Sequence, residues 1–393
     1  MTHEAIMVID EAFRSGSYMI PRIIQAQLEE ALFQGKTMVL YGPRQVGKTT
    51  LAKAILERHP EKAAYVSCDL PEVQRLLAAS NLEALRRFVG GNRLIVLDEA
   101  QRVEGIGLVL KILHEHFPDT QFLVTGSSSF ELGHAVKEPL TGRKREFMLY
   151  PVSLAELAGV RNHVALREMI PSLLRFGAYP EVLTGSDPAA IIQGIADDYL
   201  FRDILELENI KAASLVRGLL EALALQLGNE VSIHELAQLA GCNRVTVERY
   251  LELLERSFII VRLRALSRNP RKEIAKSRKI YFFDLGIRNA LIKNFNELHL
   301  RNDVGALWEN FCVIERMKHN RYNGRMVNSW FWRTYDQKEI DFVEESGGQF
   351  QGFEFKWGGG RKIRSANAFK ALYPESALTL IDRDALWTFA GVP

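Results

Sequence analysis

In the first part of the chain, short unbroken apolar runs alternate with longer segments whose apolar positions recur every three or four residues. Ala64 to Ser67 is strand-like, while Met38 to Leu40, Leu94 to Leu97 and Phe122 to Val124 are too uniform for half-exposed strands and too short for helices. They fit strands buried on both faces, and the intervening Leu82 to Val89 and Leu108 to His116 fit helices. The rhythm predicts an α/β fold with a doubly wound parallel sheet. Ahead of it, Ile20 to Leu28 predicts a helix with Pro21 in its first turn, and residues 1–18 read as a lead-in.

The pattern then changes twice. From Ser153 to Ala213 it is helical, including Asp197 to Leu205, and a small lid beside the first sheet is expected. Between Leu215 and Leu263, Ser232 caps a helix with Glu235 at its third position. The turn Gly241-Cys242-Asn243 follows, and a second helix starts at Arg244. This is helix-turn-helix spacing, with Ile259 to Val261 and Lys279 to Phe283 as wing strands. The final hundred residues predict an amphipathic helix from Val304 to Lys318. Strands follow at Ser329 to Arg333, Glu339 to Val343 and Phe350 to Trp357.

Chemistry enters where the first apolar run ends. Gly42-Pro43-Arg44-Gln45-Val46-Gly47-Lys48-Thr49, with Thr50 after it, fits G-x-x-x-x-G-K-[ST] between a strand and a helix. The glycines let backbone N–H groups turn toward phosphate oxygens, Lys48 brings charge to the β/γ-phosphates, and Thr49 offers a hydroxyl to Mg²⁺. ATP with Mg²⁺ is therefore the expected cofactor pair. The run Leu94 to Leu97 closes on Asp98 and Glu99, one for the Mg²⁺ shell and one to orient the attacking water. Phe122 to Val124 closes on hydroxyls, of which Thr125 or Ser127 is a candidate γ-phosphate sensor.

The helix pair offers Arg244, Thr246 and Arg249 for contact with nucleic acid. Between the wing strands, Arg262, Arg264, Arg268, Arg271, Lys272, Lys276 and Arg278 accumulate against one acid, Glu273. A phosphate backbone would suit that charge, with Arg268, Arg271 and Lys272 as the contacts; a protein partner is the alternative.

In the last segment Phe353, Phe355 and Trp357 alternate with Glu354 and Lys356, so the acid and the lysine share a strand face. Asp341 lies thirteen residues before Glu354 and Glu309 on the preceding helix. The order D-x12-E-x-K, with Glu309 as a further ligand, predicts a divalent metal site of the kind used to cleave phosphodiesters, Lys356 steadying a water.

Composition narrows the setting without adding chemistry. At 393 residues two or three domains are expected, and a formal net charge of +2 gives no global pull toward nucleic acid. Cys68, Cys242 and Cys312 lie far apart, which argues against a zinc site or a disulfide framework and suits a reducing compartment. No apolar run approaches membrane-spanning length and the opening residues lack a basic-then-apolar leader, so a cytoplasmic protein with no membrane contact is expected.

Together GPRQVGKTT, LIVLDEAQ, TGSSSFEL, the LTGR ending at Arg143 and the YPE and FRD elements resemble the two-part AAA-type ATPases of bacteria and archaea. In these an ATPase core precedes a C-terminal domain of unknown function, which YFFDLGI, GALWENF, EIDFV and FEFKW resemble in order and spacing. The resemblance covers nearly the whole chain. It implies a P-loop ATPase with a lid, a winged helix and a degenerate restriction-endonuclease-like module. It gives nucleotide roles to Gly42, Gly47, Lys48, Thr49, Asp98 and Glu99, and makes Arg143 a candidate arginine finger or sensor. The PD-(D/E)xK pattern would place proline before the first acid, where Ile340 stands.

The expected organisation is therefore an ATPase core over 19–152, a lid over 153–213, a winged helix-turn-helix over 214–290 and a nuclease-like domain over 291–393. The expected function is ATP hydrolysis coupled to a DNA-binding, nuclease-like half, in a chain that forms homo-oligomers. The alternative is an ATP-switched regulatory or protein-interaction module with a catalytically inactive nuclease-like domain. A P-loop kinase is disfavoured because Asp98 and Glu99 supply a water-activating pair.

Overall fold

The computed structural model describes residues 19–126, 140–198, 213–267, 278–360 and 362–392. They divide into two compact units, one made of 21–151 with 256–258 and the other of the remainder.

The first unit holds β1 (Thr37–Tyr41), β2 (Ala63–Ser67), β3 (Leu94–Asp98), β4 (Gln121–Gly126) and β5 (Lys144–Met148). They form one parallel sheet in the order β2-β3-β4-β1-β5. β1, β3 and β4 are buried along their whole length, which is why they read as unbroken apolar runs. The order inserts β4 between the strand that feeds the phosphate loop and the strand that carries the acids. Three carboxyl ends, at Tyr41, Asp98 and Gly126, therefore lie side by side, where ligands of such sheets bind. β5 was not legible in the sequence, because its first residues, Lys144-Arg145-Glu146, are polar and only partly covered.

In the second unit β6 (Glu230–Val231), β7 (Ile260–Ala265), β8 (Arg278–Phe282), β9 (Asn328–Arg333), β10 (Glu339–Ser346), β11 (Gln349–Phe355) and β12 (Ala377–Ile381) form a single mixed sheet. Its order is β12-β11-β10-β9-β7-β8-β6. The sequence reading divides this region near residue 290, but β7 pairs in parallel with β9 through Arg264 opposite Trp330 and Ala265 opposite Phe331. The two expected domains thus share one sheet. On one face Leu266, Trp332, Ile340, Val343 and Phe369 form a core. Ile340 and Val343 are three residues apart yet share that face, because a register shift between them adds a residue to β10. The same irregularity lets Asp341 and Glu344 both be buried on the other side.

The helices expected as a lid belong to this second unit. His163–Phe176 and Pro188–Asp197 pack on the helix Leu285–Leu291. Asp284 caps that helix by accepting from Gly286 N–H at 2.8 Å and also accepts from Ala178 N–H at 2.7 Å. Gly177 has φ +78°, and a Cβ there would fall 1.8 Å from Asp284 Oδ1, so a side chain is excluded at this crossing.

The helix expected to be amphipathic runs from Val304 to Tyr322 and buries residues on every side. Its buried charges are paired within the protein: Arg316 grips Glu344 through contacts of 2.8–3.1 Å, and Lys318 lies 2.7 Å from Glu315. Among the described residues no helix is long and apolar enough to cross a membrane. The three cysteines are free thiols.

Candidate functional site

The phosphate loop keeps its shape through positions that only certain residues tolerate. Gly42 has φ +156° and its missing Cβ would lie 2.2 Å from Leu149 O, so the loop turns directly against β5's outgoing backbone. Gln45 and Gly47 follow with φ of 58° and 95°, and Leu51 N–H closes the first helical bond to Gly47 O at 2.9 Å. Lys48 is 5% exposed and donates to Gly42 O at 2.9 Å and Pro43 O at 2.7 Å. Burial pushes its ammonium down to about 8, against the pull of Glu99 and Asp98. The lysine is held inside the loop's own carbonyls, and a phosphate entering there would take over as its counter-charge. Arg22 pins the loop from outside, donating to Val46 O at 2.7 Å and to Tyr150 O. Thr50 is exposed on the following helix and Arg44 is half-buried.

Asp98 ends β3 and gathers three hydroxyls. Its Oδ2 accepts from Thr49 at 2.8 Å and from Tyr65 at 2.6 Å, while its Oδ1 accepts from Thr125. A hydroxyl and a carboxylate side by side at the loop are the hard oxygen donors Mg²⁺ takes, so Thr49 and Asp98 fit the role of holding it. Tyr65 was missed in the sequence because β2 carries no motif. Its ring also lies under Lys53 at 4.8 Å, and burial together with the bond to Asp98 pushes its hydroxyl pKa up. Thr125, expected as a phosphate sensor, is fully buried and accepts from Glu99 N–H at 3.1 Å, so its hydroxyl orients the two acids. Glu99 is in left-handed backbone, φ 54°, and its carboxylate accepts from Gln101. Strained backbone of this kind persists where the surroundings over-determine it. Ser127 lies outside the described residues.

Arg143 lies at the other end of the sheet. β5 pairs with β1 from Lys144 opposite Thr37 to Met148 opposite Tyr41, so Arg143 flanks the amino ends while the loop leaves the carboxyl ends. There its guanidinium lies 3.2 Å from Glu115. The register keeps it from the phosphate loop of its own chain.

The expected metal centre of the second unit is built differently from the sequence reading. Glu309, Glu339 and Asp341 do converge, but on an ammonium: Lys279 Nζ donates to Glu309 at 2.8 Å, contacts Glu339 and lies 3.9 Å from Asp341. Lys279 is 1% exposed. Burial works against its charge, but Glu309, Asp341 and Glu339 outweigh this and hold its pKa above the usual lysine value. Tyr281 donates to the same Glu309 oxygen at 2.7 Å, and Asp341 Oδ2 accepts from Phe355 N–H at 2.9 Å. Glu354 turns to Lys356 at 2.8 Å. Among the described residues no group of three or more acidic, histidine or cysteine side chains is arranged to hold a metal ion. The expected Glu309, Asp341, Glu354 and Lys356 do lie within electrostatic reach of one another, and Lys279 is a cation that the sequence reading did not place among them. The signal was present as one lysine in the otherwise apolar and aromatic run Lys279 to Phe283.

The helix pair is formed by Ile233–Leu239 and Arg244–Arg256, with Asn243 accepting from Thr246 N–H at 2.8 Å. Arg244 and Arg249 are exposed on the second helix. Two members of the expected basic cluster are neutralised: Arg262 donates to Glu255 at 2.7 Å and Arg278 to Glu248 at 2.7 Å. Arg268, Arg271 and Lys272 lie outside the described residues.

Comparison with known proteins agrees with the two-part layout. Residues 34–158 match the family described as an AAA domain, residues 167–298 a domain of unknown function (DUF8612), and residues 304–387 a second one (DUF4143). The chain is 30% identical over 337 residues to the uncharacterized protein Rv2008c of Mycobacterium tuberculosis, covering 84% of this chain and 72% of that one. An uncharacterized protein of Methanocaldococcus jannaschii, MJ1544, is 25% identical over 351 residues, covering 82% and 75%. Among solved structures, a point mutant of Thermotoga maritima RuvB aligns with 20% identity and a TM-score of 0.30 over 63% of this chain and 89% of that one. The Thermotoga maritima RuvB Holliday junction branch migration motor aligns with 18% identity and a TM-score of 0.28, over 69% and 91%. At such scores nothing about activity follows.

Proposed function

For a chain that belongs to the same family as Rv2008c of Mycobacterium tuberculosis, we propose ATP hydrolysis at the loop 42–49, coupled to a C-terminal half that contacts DNA without cutting it. The observation that carries the hydrolytic part is the hydroxyl network on Asp98. It ties Thr49 of the loop, Asp98 of β3 and Thr125 of β4 into one edge, with Glu99 next to it. In this reading Lys48 and the loop N–H groups hold the β/γ-phosphates, Thr49 and Asp98 hold Mg²⁺, and Glu99 orients the attacking water. The metal would neutralise charge that develops on the phosphates. Arg143 would act on the nucleotide of a neighbouring copy, and Ser127 stays a candidate γ-phosphate sensor.

Support for DNA contact comes from a helix pair and two antiparallel strands in the chain order of a winged helix, with Arg244 and Arg249 exposed on the second helix. The basic segment with Arg268, Arg271 and Lys272 would add phosphate contacts. The segment adjoining it carries the D-x12-E-x-K spacing on which the nuclease-like reading rests, and Lys279 beside those carboxylates favours a non-cleaving module. A protein partner is the second reading, favoured by the neutralised Arg262 and Arg278 and by Val245, 78% exposed beside Arg244.

Phosphate release with Mg²⁺, with and without DNA, tests the proposal. Release that DNA accelerates is the expected result. No release in either condition removes the ATPase, and release indifferent to DNA removes the coupling.

A further inference from the structure

The second unit contains a cavity of about 420 Å³ that no motif announces. Small-molecule sites have volumes of roughly 300–1,000 Å³. Three of the chain's five tryptophans line it: Trp308 on the helix Val304–Tyr322, Trp357 just after β11, and Trp387 on the short helix Leu386–Phe389. Trp308 precedes Glu309, so the cavity and the carboxylate cluster are neighbours along that helix.

The walls are fixed and chemically distinct. Trp308 Nε1 donates to Ile381 O at 3.2 Å, and Trp357 packs edge-on against Trp308 with centroids 5.3 Å apart. Trp387 packs on His163 at 4.5 Å, and its buried Nε1 has no acceptor among the described residues. An indole N–H of this kind can only donate, and burying it unpaired is costly. Gly358 and Gly359 continue the rim, and a Cβ on either would meet nothing within 4 Å, so this side of the cavity is open.

Two arginines face the cavity and differ in their engagement. Arg167 is paired with Asp384. Arg383 lies over the Trp357 ring at 5.0 Å, is exposed, and has no carboxylate or carbonyl partner among the described residues. Asp382, also on the lining, already accepts from the N–H groups of Asp384 and Ala385, both at 3.0 Å. The arrangement is thus an aromatic slot with, at its mouth, one guanidinium that lies on Trp357 and makes no ion pair among the described residues.

We propose that this cavity binds a nucleotide unit, its base against Trp357, the one of the three indoles that is not buried, and its phosphate on Arg383. Base stacking on aromatic side chains combined with a basic contact to phosphate is how single strands are held without sequence preference. A free nucleotide has the same chemistry, and size alone does not separate the two sources. The inference goes beyond the function proposed above and stands without DNA contact by the helix pair.

The test uses the whole chain carrying Lys48→Ala, so that the phosphate loop does not compete. Thymidine monophosphate and an octathymidylate strand are titrated while tryptophan fluorescence is read, and calorimetry repeats both on Trp357→Leu. Saturable quenching is expected, weakened roughly 10- to 100-fold by Arg383→Ala, the effect of losing one charge-assisted hydrogen-bond partner. Trp357→Leu should weaken binding as well. Tighter binding of the strand assigns the site to nucleic acid, and equal or tighter binding of the monophosphate assigns it to a free nucleotide. The absence of saturable binding by both probes at millimolar concentration overturns the proposal, as does unchanged affinity in both variants.

Discussion

The Lys279 ammonium lies 2.8 Å from a Glu309 carboxylate oxygen, at the point where three acids converge on the shared sheet of the second unit. Lys279 comes from β8, beyond the boundary drawn from sequence, and the acids come from the helix Val304–Tyr322 and from β10. The β7–β9 pairing, which fuses two expected domains into one sheet, is what brings the lysine to the carboxylates. The chain thereby supplies from within one of the positive charges that this cluster of acids needs.

Lys279→Met should leave the buried Asp341 and the half-buried Glu309 without their shared ammonium, Glu339 keeping Arg333 at 3.6 Å, and cost about 3 kcal/mol, the lower end of what removing one partner of a buried pair costs. The vacated position would also be open to a divalent ion. Mn²⁺ should therefore raise the melting temperature of the variant while leaving the parent's transition for this unit unchanged. Equal stabilisation of both proteins would mean that metal binds independently of Lys279.

Burial pushes the Glu309 carboxyl up to about 7, with Lys279 opposing the rise. An acid whose folded pKa is raised from 4.5 favours the folded state when protonated. Its contribution is full below pH 4.5 and is lost as pH climbs through 7. The melting temperature of this unit should accordingly fall over that window, by roughly 2–4 °C for each kcal/mol lost. Glu309→Gln should flatten this stretch of the profile. A Glu309→Gln profile parallel to the parent's would place the titration on another group.

How much of this was legible follows from what each element exposes. β1, β3 and β4 announced themselves because they are buried on both faces, and the loop because phosphate binding demands glycine at fixed positions. Tyr65 and Arg22 were silent, since each acts through a tertiary contact, on Asp98 and on the backbone of Val46. In the second unit the acids were identifiable but their counter-charge was not. Spacing within D-x12-E-x-K says nothing about a lysine sixty-two residues upstream of Asp341, and a single charge in an aromatic strand carries no period. Lys318 reads as a surface charge, yet it is 2% exposed and donates to Val152 O at 3.0 Å. Helical periodicity loses its meaning on a helix buried all round.

Lys48 and Glu99 should separate binding from chemistry. Lys48 sits inside the loop and Glu99 outside it, tethered by Thr125 and Gln101. Lys48→Ala should lose ATP binding. Glu99→Gln should bind ATP and hydrolyse it at least ~100-fold more slowly, the order lost with one electrostatic catalytic group. Phosphate release by Glu99→Gln near the parental rate would remove Glu99 from the chemistry.

Arg143 flanks the amino ends of a sheet whose carboxyl ends carry the loop, so a catalytic role for it requires a second copy of the chain. Protein with Arg143→Ala and protein with Lys48→Ala should each be inactive. Mixed, they should recover part of the activity, because some interfaces then pair an intact loop with an intact arginine. Hydrolysis that stays absent in demonstrably mixed oligomers would leave Arg143 with only its contact to Glu115.

The last prediction concerns Arg244 and Arg249, the exposed cations of the helix that follows the turn. Because Arg262 and Arg278 are spent on Glu255 and Glu248, they contribute little free charge, and the second helix becomes the critical surface for a phosphate backbone. DNA affinity should fall steeply with salt, and replacing both Arg244 and Arg249 with alanine should reduce that slope by about 2, one unit for each phosphate left without its arginine. The weakening should be similar across sequences, since phosphate contacts position a protein without reading bases. Val245→Ser, between contact positions on the same exposed surface, should leave the slope unchanged because no charge is removed. A slope unaffected by removing both arginines, together with loss of a protein partner on Val245→Ser, would turn this face from a DNA-contact surface into a protein-docking one.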